Sequence, residues 1–143
     1  MTPYYADASL TVHIGDCRAV MADMPAESVH CVVTSPPYWG LRDYGIAGQL
    51  GLEPTPEEYV ANLVGVFREV RRVLRDDGTV WLNIGDSYAG SSAMTTNEKA
   101  LKGKQGTSHG TIGESRPAII PVGLKPKDLV GIPWRVAFAL QAD

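Results

Sequence analysis

The chain has 143 residues, enough for one modest domain around a single core, and its 44% hydrophobic content is ordinary for a globular protein in water. No apolar run is long enough to span a bilayer and the first ten residues lack the basic and apolar regions of a secretory leader, so a cytoplasmic location without membrane partners is expected. A net charge of −3 excludes a global pull toward nucleic acid, and any such binding must rest on a local basic segment.

Residues 10–14 (LTVHI) alternate, carry β-branched side chains and predict a first strand that stops at Gly15-Asp16, where a turn begins. Residues 18–24 bring Val20, Met21 and Met24 onto a short helix closed by Pro25, and residues 28–35 read as a second strand. Together they predict a βαβ unit. Its parallel strands would be buried on both faces, which suits the nearly continuous apolar run over 29–33 interrupted only by His30. Cys17 and Cys31 are too few for a disulfide framework and have no partners at metal-ligand spacing; both read as free thiols, and no metal is expected.

The second strand runs into VVTSPPYWG over residues 32–40. Pro36 and Pro37 cannot continue a central ladder, because each lacks an N–H and has φ fixed near −65°. The residue before a proline is held extended, which confines Ser35. A rigid corner follows at the carboxyl end of a buried strand, presenting the Ser35 hydroxyl, the Pro36 carbonyl and the Tyr38 ring where open α/β sheets bind ligands.

Beyond the corner, residues 40–52 read as a glycine-rich loop. Thr55, Pro56 and Glu58 then form a helix start of the capping-box kind. Tyr59, Leu63, Val66, Phe67, Val70, Val73 and Leu74 recur at helical spacing, with Arg68, Arg71, Arg72 and Arg75 on the wetter face. Asp76-Asp77-Gly78 should end the helix, and residues 79–84 (TVWLNI) a third strand, which stops at Gly85-Asp86. Residues 89–123 are rich in glycine, serine, threonine and lysine without a usable period, and predict a long flexible loop. Between positions 89 and 127, Lys99, Lys102, Lys104, Arg116, Lys125 and Lys127 face only Glu98 and Glu114, a local basic excess in an acidic chain. Residues 127–142 predict a last helix with Pro133 near its first turn.

Three predicted strands thus end in polar groups, Asp16, Ser35 and Asp86, on what should be one sheet edge. Each Gly-Asp taken singly reads as a plain turn; together they suggest acceptors for a ribose or an adenine amino group. The corner itself offers two acceptors, the Ser35 oxygen and the Pro36 carbonyl, beside a flat ring. An exocyclic amino group on a nucleobase has two N–H donors and an aromatic face, and this array suits it. Reaching the corner from duplex DNA requires the base to be flipped out.

TSPPYWG after a hydrophobic strand resembles the catalytic motif of the S-adenosylmethionine-dependent DNA amino-methyltransferases, whose members carry [D/N/S]-P-P-[Y/F/W]. HIGDCRAVMADMPAESVHCVV and REVRRVLRDDGTVWLNIGDSY are similar to the segments on either side of that motif in the family's β group. The resemblance implies an α/β, Rossmann-like methyltransferase sheet, mainly parallel with flanking helices. It implies Ser35, Pro36, Pro37 and Tyr38 as the catalytic corner and Asp16, with Cys17 and Thr34, at S-adenosylmethionine. Trp39, Lys99, Lys102 and Lys104 would be on double-stranded DNA. A serine at the first motif position resembles members acting on the cytosine amino nitrogen, in restriction-modification systems.

The family's glycine-rich cofactor loop is not found, since the glycines of 103–113 follow no strand and open no helix. Residues 1–143 are therefore expected to form a partial catalytic domain with an incomplete sheet, binding S-adenosylmethionine weakly and turning over poorly alone. Two other readings stay open: an adenine amino-methyltransferase, and a non-catalytic α/β module that binds nucleic acid through the basic loop.

Overall fold

The computed structural model describes residues 2–90 and 119–143. Their order is β1 (Tyr5–Ala6), β2 (Thr11–Val12), α1 (Cys17–Ala22), β3 (Val29–Thr34), α2 (Pro56–Val73), β4 (Leu74–Leu82) and α3 (Ile132–Ala142). The chain is α/β, with a parallel β3–β4 pair and helices between and after the strands. It divides into two compact units, Met1–Thr34 with Val64–Leu82, and Ser35–Leu63 with Asn83–Asp143.

In the first unit, β1 and β2 form a small antiparallel hairpin that the polar N-terminal sequence did not announce. Asp7 makes its turn: the carboxylate accepts from the Ser9 and Leu10 backbone N–H groups, each at 2.8 Å, and from the Tyr5 and Ser9 hydroxyls. The expected parallel βαβ unit does not form among the described residues. The strand predicted over 10–14 is only two residues long and pairs with β1, not with β3, so Asp16 does not end a strand of the β3–β4 sheet.

Asp16 instead caps α1, its Oδ1 accepting from the Arg18 N–H at 2.8 Å while the Arg18 guanidinium reaches its Oδ2 at 2.7 Å. The other end of α1 is closed by α2: the Arg72 guanidinium donates to the Met21 and Met24 carbonyls at 2.6 and 3.0 Å. Arg72 is therefore part-buried and structural rather than one of four wet arginines.

Both capping carboxylates are held low, at about 2: Asp7 first by the Ser9 N–H, and Asp16 first by the Arg18 side chain. A carboxylate whose folded pKa is depressed adds stability above its unfolded value, near 4, and loses it as pH falls toward the folded one. Thermal melts should therefore lose stability between about pH 4 and 2, modestly because both groups are exposed. The Asp7→Asn, Asp16→Asn double variant should show a flatter profile over that window.

β3 and β4 pair parallel, Val32 to Val80, Val33 to Trp81 and Thr34 to Leu82. Strand β4 begins directly at the end of α2. The Asp76-Asp77-Gly78 signal is realised as a bulge, since Val29 faces Leu74 and Cys31 already faces Thr79. β3 is not buried on both faces as its apolar run predicts: Val33 is 78% and its partner Trp81 67% exposed. Double-sided burial needs neighbours on both faces, and among the described residues this sheet has only two strands. Cys17 and Cys31 are free and exposed, and no described helix is long and apolar enough to cross a membrane.

In the second unit, Thr55 starts α2 as its sequence predicts: its hydroxyl accepts from the Glu58 N–H at 3.2 Å and pairs with the Glu58 carboxylate at 3.3 Å. Pro56 and the core residues Tyr59 and Leu63 are buried on this first part of α2. Val64, Val66, Phe67, Val70 and Val73 are buried on the part belonging to the first unit. Helix α3 starts later than the predicted 127, after Gly131 at φ +80°, with Pro133 in its first turn. Ile132 and Val136 face its core side.

Candidate active site

The corner and everything that fixes it lie in the second unit. After Thr34, the last residue of β3, Ser35 is exposed and its hydroxyl has no hydrogen-bond partner among the described residues. The carbonyls that follow are not treated alike. Pro37 O accepts from the Tyr59 hydroxyl at 2.8 Å, Tyr38 O from the Leu41 N–H at 3.2 Å, and Trp39 O from the Ser87 hydroxyl at 2.7 Å. Pro36 O alone in this run has no partner among the described residues. Two acceptors without a partner among the described residues, the Ser35 hydroxyl and the Pro36 carbonyl, thus stand just ahead of three carbonyls that are all used.

Tyr38 is half-buried beside them. Its ring rests against Gly85, where a Cβ would stand 2.8 Å from Cε2, and its hydroxyl makes a long hydrogen bond of 3.4 Å to Asn83 Oδ1. Gly85 has no side chain because the ring occupies that space. Gly51 closes the other approach: at φ +95°, its Cβ would lie 2.9 Å from the Tyr38 carbonyl. Its own carbonyl accepts from the Gly40 N–H at 2.7 Å, which folds the loop over 40–51 back onto the corner.

Trp39 is a structural anchor in this arrangement. It is 4% exposed and its indole N–H donates to the Glu53 carbonyl at 3.0 Å, so almost none of the ring is open to DNA, contrary to expectation. Glu53 is the hub that the sequence did not flag. Its carboxylate accepts from the Gly51 N–H at 2.8 Å and from Asn62 of α2 at 3.0 Å.

Asp86, one of the three strand-end acids, is also structural. Its carboxylate accepts from the Gly131 and Ile132 N–H groups, both at 2.9 Å, and caps α3. Alongside it, the Ala89 N–H donates to the Asp128 carbonyl at 2.8 Å and the Val130 N–H to Ser87 O at 2.9 Å. Of the residues expected at a cofactor, Asp16 is engaged by Arg18, Cys17 is the exposed first residue of α1, and Thr34 is half-buried opposite Leu82. Lys99, Lys102 and Lys104 lie outside the described residues.

Comparison with known proteins bears on what such a corner does. The DNA methylase family matches residues 29–122. The type II methyltransferase M.SmaI of Serratia marcescens is 53% identical over 135 residues, which are 94% of this chain and 44% of that protein. M.XycI of Xanthomonas campestris pv. cyanopsidis is 53% identical over 133 residues, 93% of this chain and 42% of its own. M.Cfr9I of Citrobacter freundii is 49% identical over 133 residues, with the same shares. The chain thus spans less than half the length of these relatives.

Proposed function

Because this chain belongs to the DNA methylase family, we propose that its corner holds the exocyclic amino group of a base flipped from double-stranded DNA for methylation, cytosine N4 being the target. The observation that carries this reading is the pair of acceptors without partners among the described residues, Ser35 Oγ and Pro36 O, beside the seated Tyr38 ring. An amino group has two N–H donors, and one to each acceptor satisfies both. Held so, its lone pair is drawn out of conjugation with the base and aimed away from the ring plane. Tyr38 supplies a face for stacking, and a flipped base stacked on an aromatic side chain is the usual way such enzymes hold it. The serine at position 35 supports cytosine, and the type II relatives support a place in a restriction-modification system.

S-adenosylmethionine is the methyl donor that this reading requires. The described residues do not by themselves build its pocket: of those expected at it, Asp16 is engaged by the Arg18 guanidinium and N–H at the start of α1, with the rest of its half-exposed carboxylate open. The base-holding half of the site is the half whose geometry supports the proposal.

The test is mass spectrometry of nucleosides from the DNA of cells expressing the gene. N4-methylcytosine is expected. N6-methyladenine would move the target to adenine, and neither would leave the corner without the proposed chemistry.

A further inference from the structure

Between the acceptor pair and the Tyr38 ring, most backbone torsions are fixed covalently. The pyrrolidine rings set φ of Pro36 and Pro37. A following proline confines ψ of Ser35 and of Pro36 to extended values. Pro37 precedes a tyrosine, so its ψ is the first torsion that the covalent chain leaves open. That torsion turns the Pro37 carbonyl, and Tyr59 holds this carbonyl at 2.8 Å from a side chain that is 0% exposed.

We propose that Tyr59, through its hydroxyl on Pro37 O, is a positioning residue that sets where the Tyr38 ring stands against the Ser35–Pro36 acceptor pair. The inference deepens the base-holding reading above and rests on it for its catalytic consequence. The clamp comes from the rigid first turn of α2, pinned by Thr55 and Glu58 one turn before. Burial above all, with the Glu53 carboxylate and the Tyr38 phenol nearby, pushes the Tyr59 hydroxyl well above the usual phenol range, so it stays a donor. The Pro37 side of the clamp cannot slide either, because Gly51 packs there and even its added Cβ would meet Pro37 Cβ at 3.2 Å.

The experiment compares Tyr59→Phe with the wild-type 143-residue chain by NMR. The readout is the contact between the Tyr38 ring protons and Gly85 Hα, with the Trp39 indole N–H as the marker of an intact second unit. In the variant the Tyr38–Gly85 contact should be lost while the indole signal stays in place. Methyl transfer to plasmid DNA, measured on the whole gene product, should fall in kcat by about 10–100-fold, as small misplacements of reacting groups do, with KM for DNA nearly unchanged. A merely structural role would lower the folded fraction without moving the ring in the molecules that remain folded. An unchanged Tyr38–Gly85 contact in folded Tyr59→Phe overturns the proposal.

Should that variant not fold, 4-aminophenylalanine at position 59 decides: it keeps a weaker and longer donor to Pro37 O in the same place, so the Tyr38–Gly85 contact should weaken in the folded protein, and an unchanged contact overturns the proposal. A displaced ring in Tyr59→Phe, together with wild-type methylation by Tyr38→Ala, would support the positioning role while refuting the base-holding reading.

Discussion

Replacing Ser35 with alanine is expected to cut methyl transfer by about 10²–10³-fold, the usual cost of deleting one preorganised hydrogen-bonding group at a reacting centre. The same change should leave folding stability within about 0.5 kcal/mol, as surface substitutions without a special role do. This separation follows from the structure: the hydroxyl is exposed and makes no hydrogen bond among the described residues, so the fold has nothing to lose with it. On the base-holding proposal, stacking on Tyr38 and contacts elsewhere on DNA do not involve this hydroxyl, and DNA affinity should stay close to that of the wild type. Labelled methyl incorporation, a DNA titration and a urea melt on the same preparation measure all three. Full activity in Ser35→Ala would mean that the amino group is held by something else.

Trp39→Ala is the other large effect, in stability rather than chemistry, and should cost about 3–5 kcal/mol, the range for emptying a buried aromatic site. The ring is 4% exposed and its N–H satisfies the Glu53 carbonyl, so the variant leaves both a cavity and an acceptor without its partner. Trp39→Phe separates the two losses, since it refills most of the volume and should cost about 1–3 kcal/mol for the abandoned hydrogen bond. Urea denaturation reads each difference. Weakened DNA binding by Trp39→Ala with an unchanged denaturation midpoint would return Trp39 to the DNA-contacting role that its position in the motif suggests.

Much of the fold could be read from local signals. Thr55-Pro56 with Glu58 marked the start of α2, and its apolar spacing marked Tyr59 through Val73 as core, because helix starts and helical periodicity are written in neighbouring residues. The corner was legible for the same reason, since two prolines restrict torsions wherever they occur. What was not legible depended on pairing between distant segments. LTVHI alternates as a strand should, but which strand it joins is set by Tyr5–Ala6, through the turn built on Asp7. Asp76-Asp77-Gly78 carries a turn signal, and only the register of β3 reveals it as a bulge. Asp16 and Asp86 read as ligand acceptors because Gly-Asp after a strand has two readings, and in the structure each carboxylate accepts from N–H groups at a helix start, of α1 and α3. Likewise Glu53 and Gly85 owe their roles at the corner to partners that no short motif names.

The close seating of Tyr38 has a bearing on redesign. Gly85 meets the ring and Gly51 meets its carbonyl at distances that a single added carbon would violate, 2.8 and 2.9 Å. If Tyr38 is the stacking platform proposed above, directed evolution aimed at a larger or different base has no slack to exploit at positions 51 and 85, where even the smallest enlargement collides.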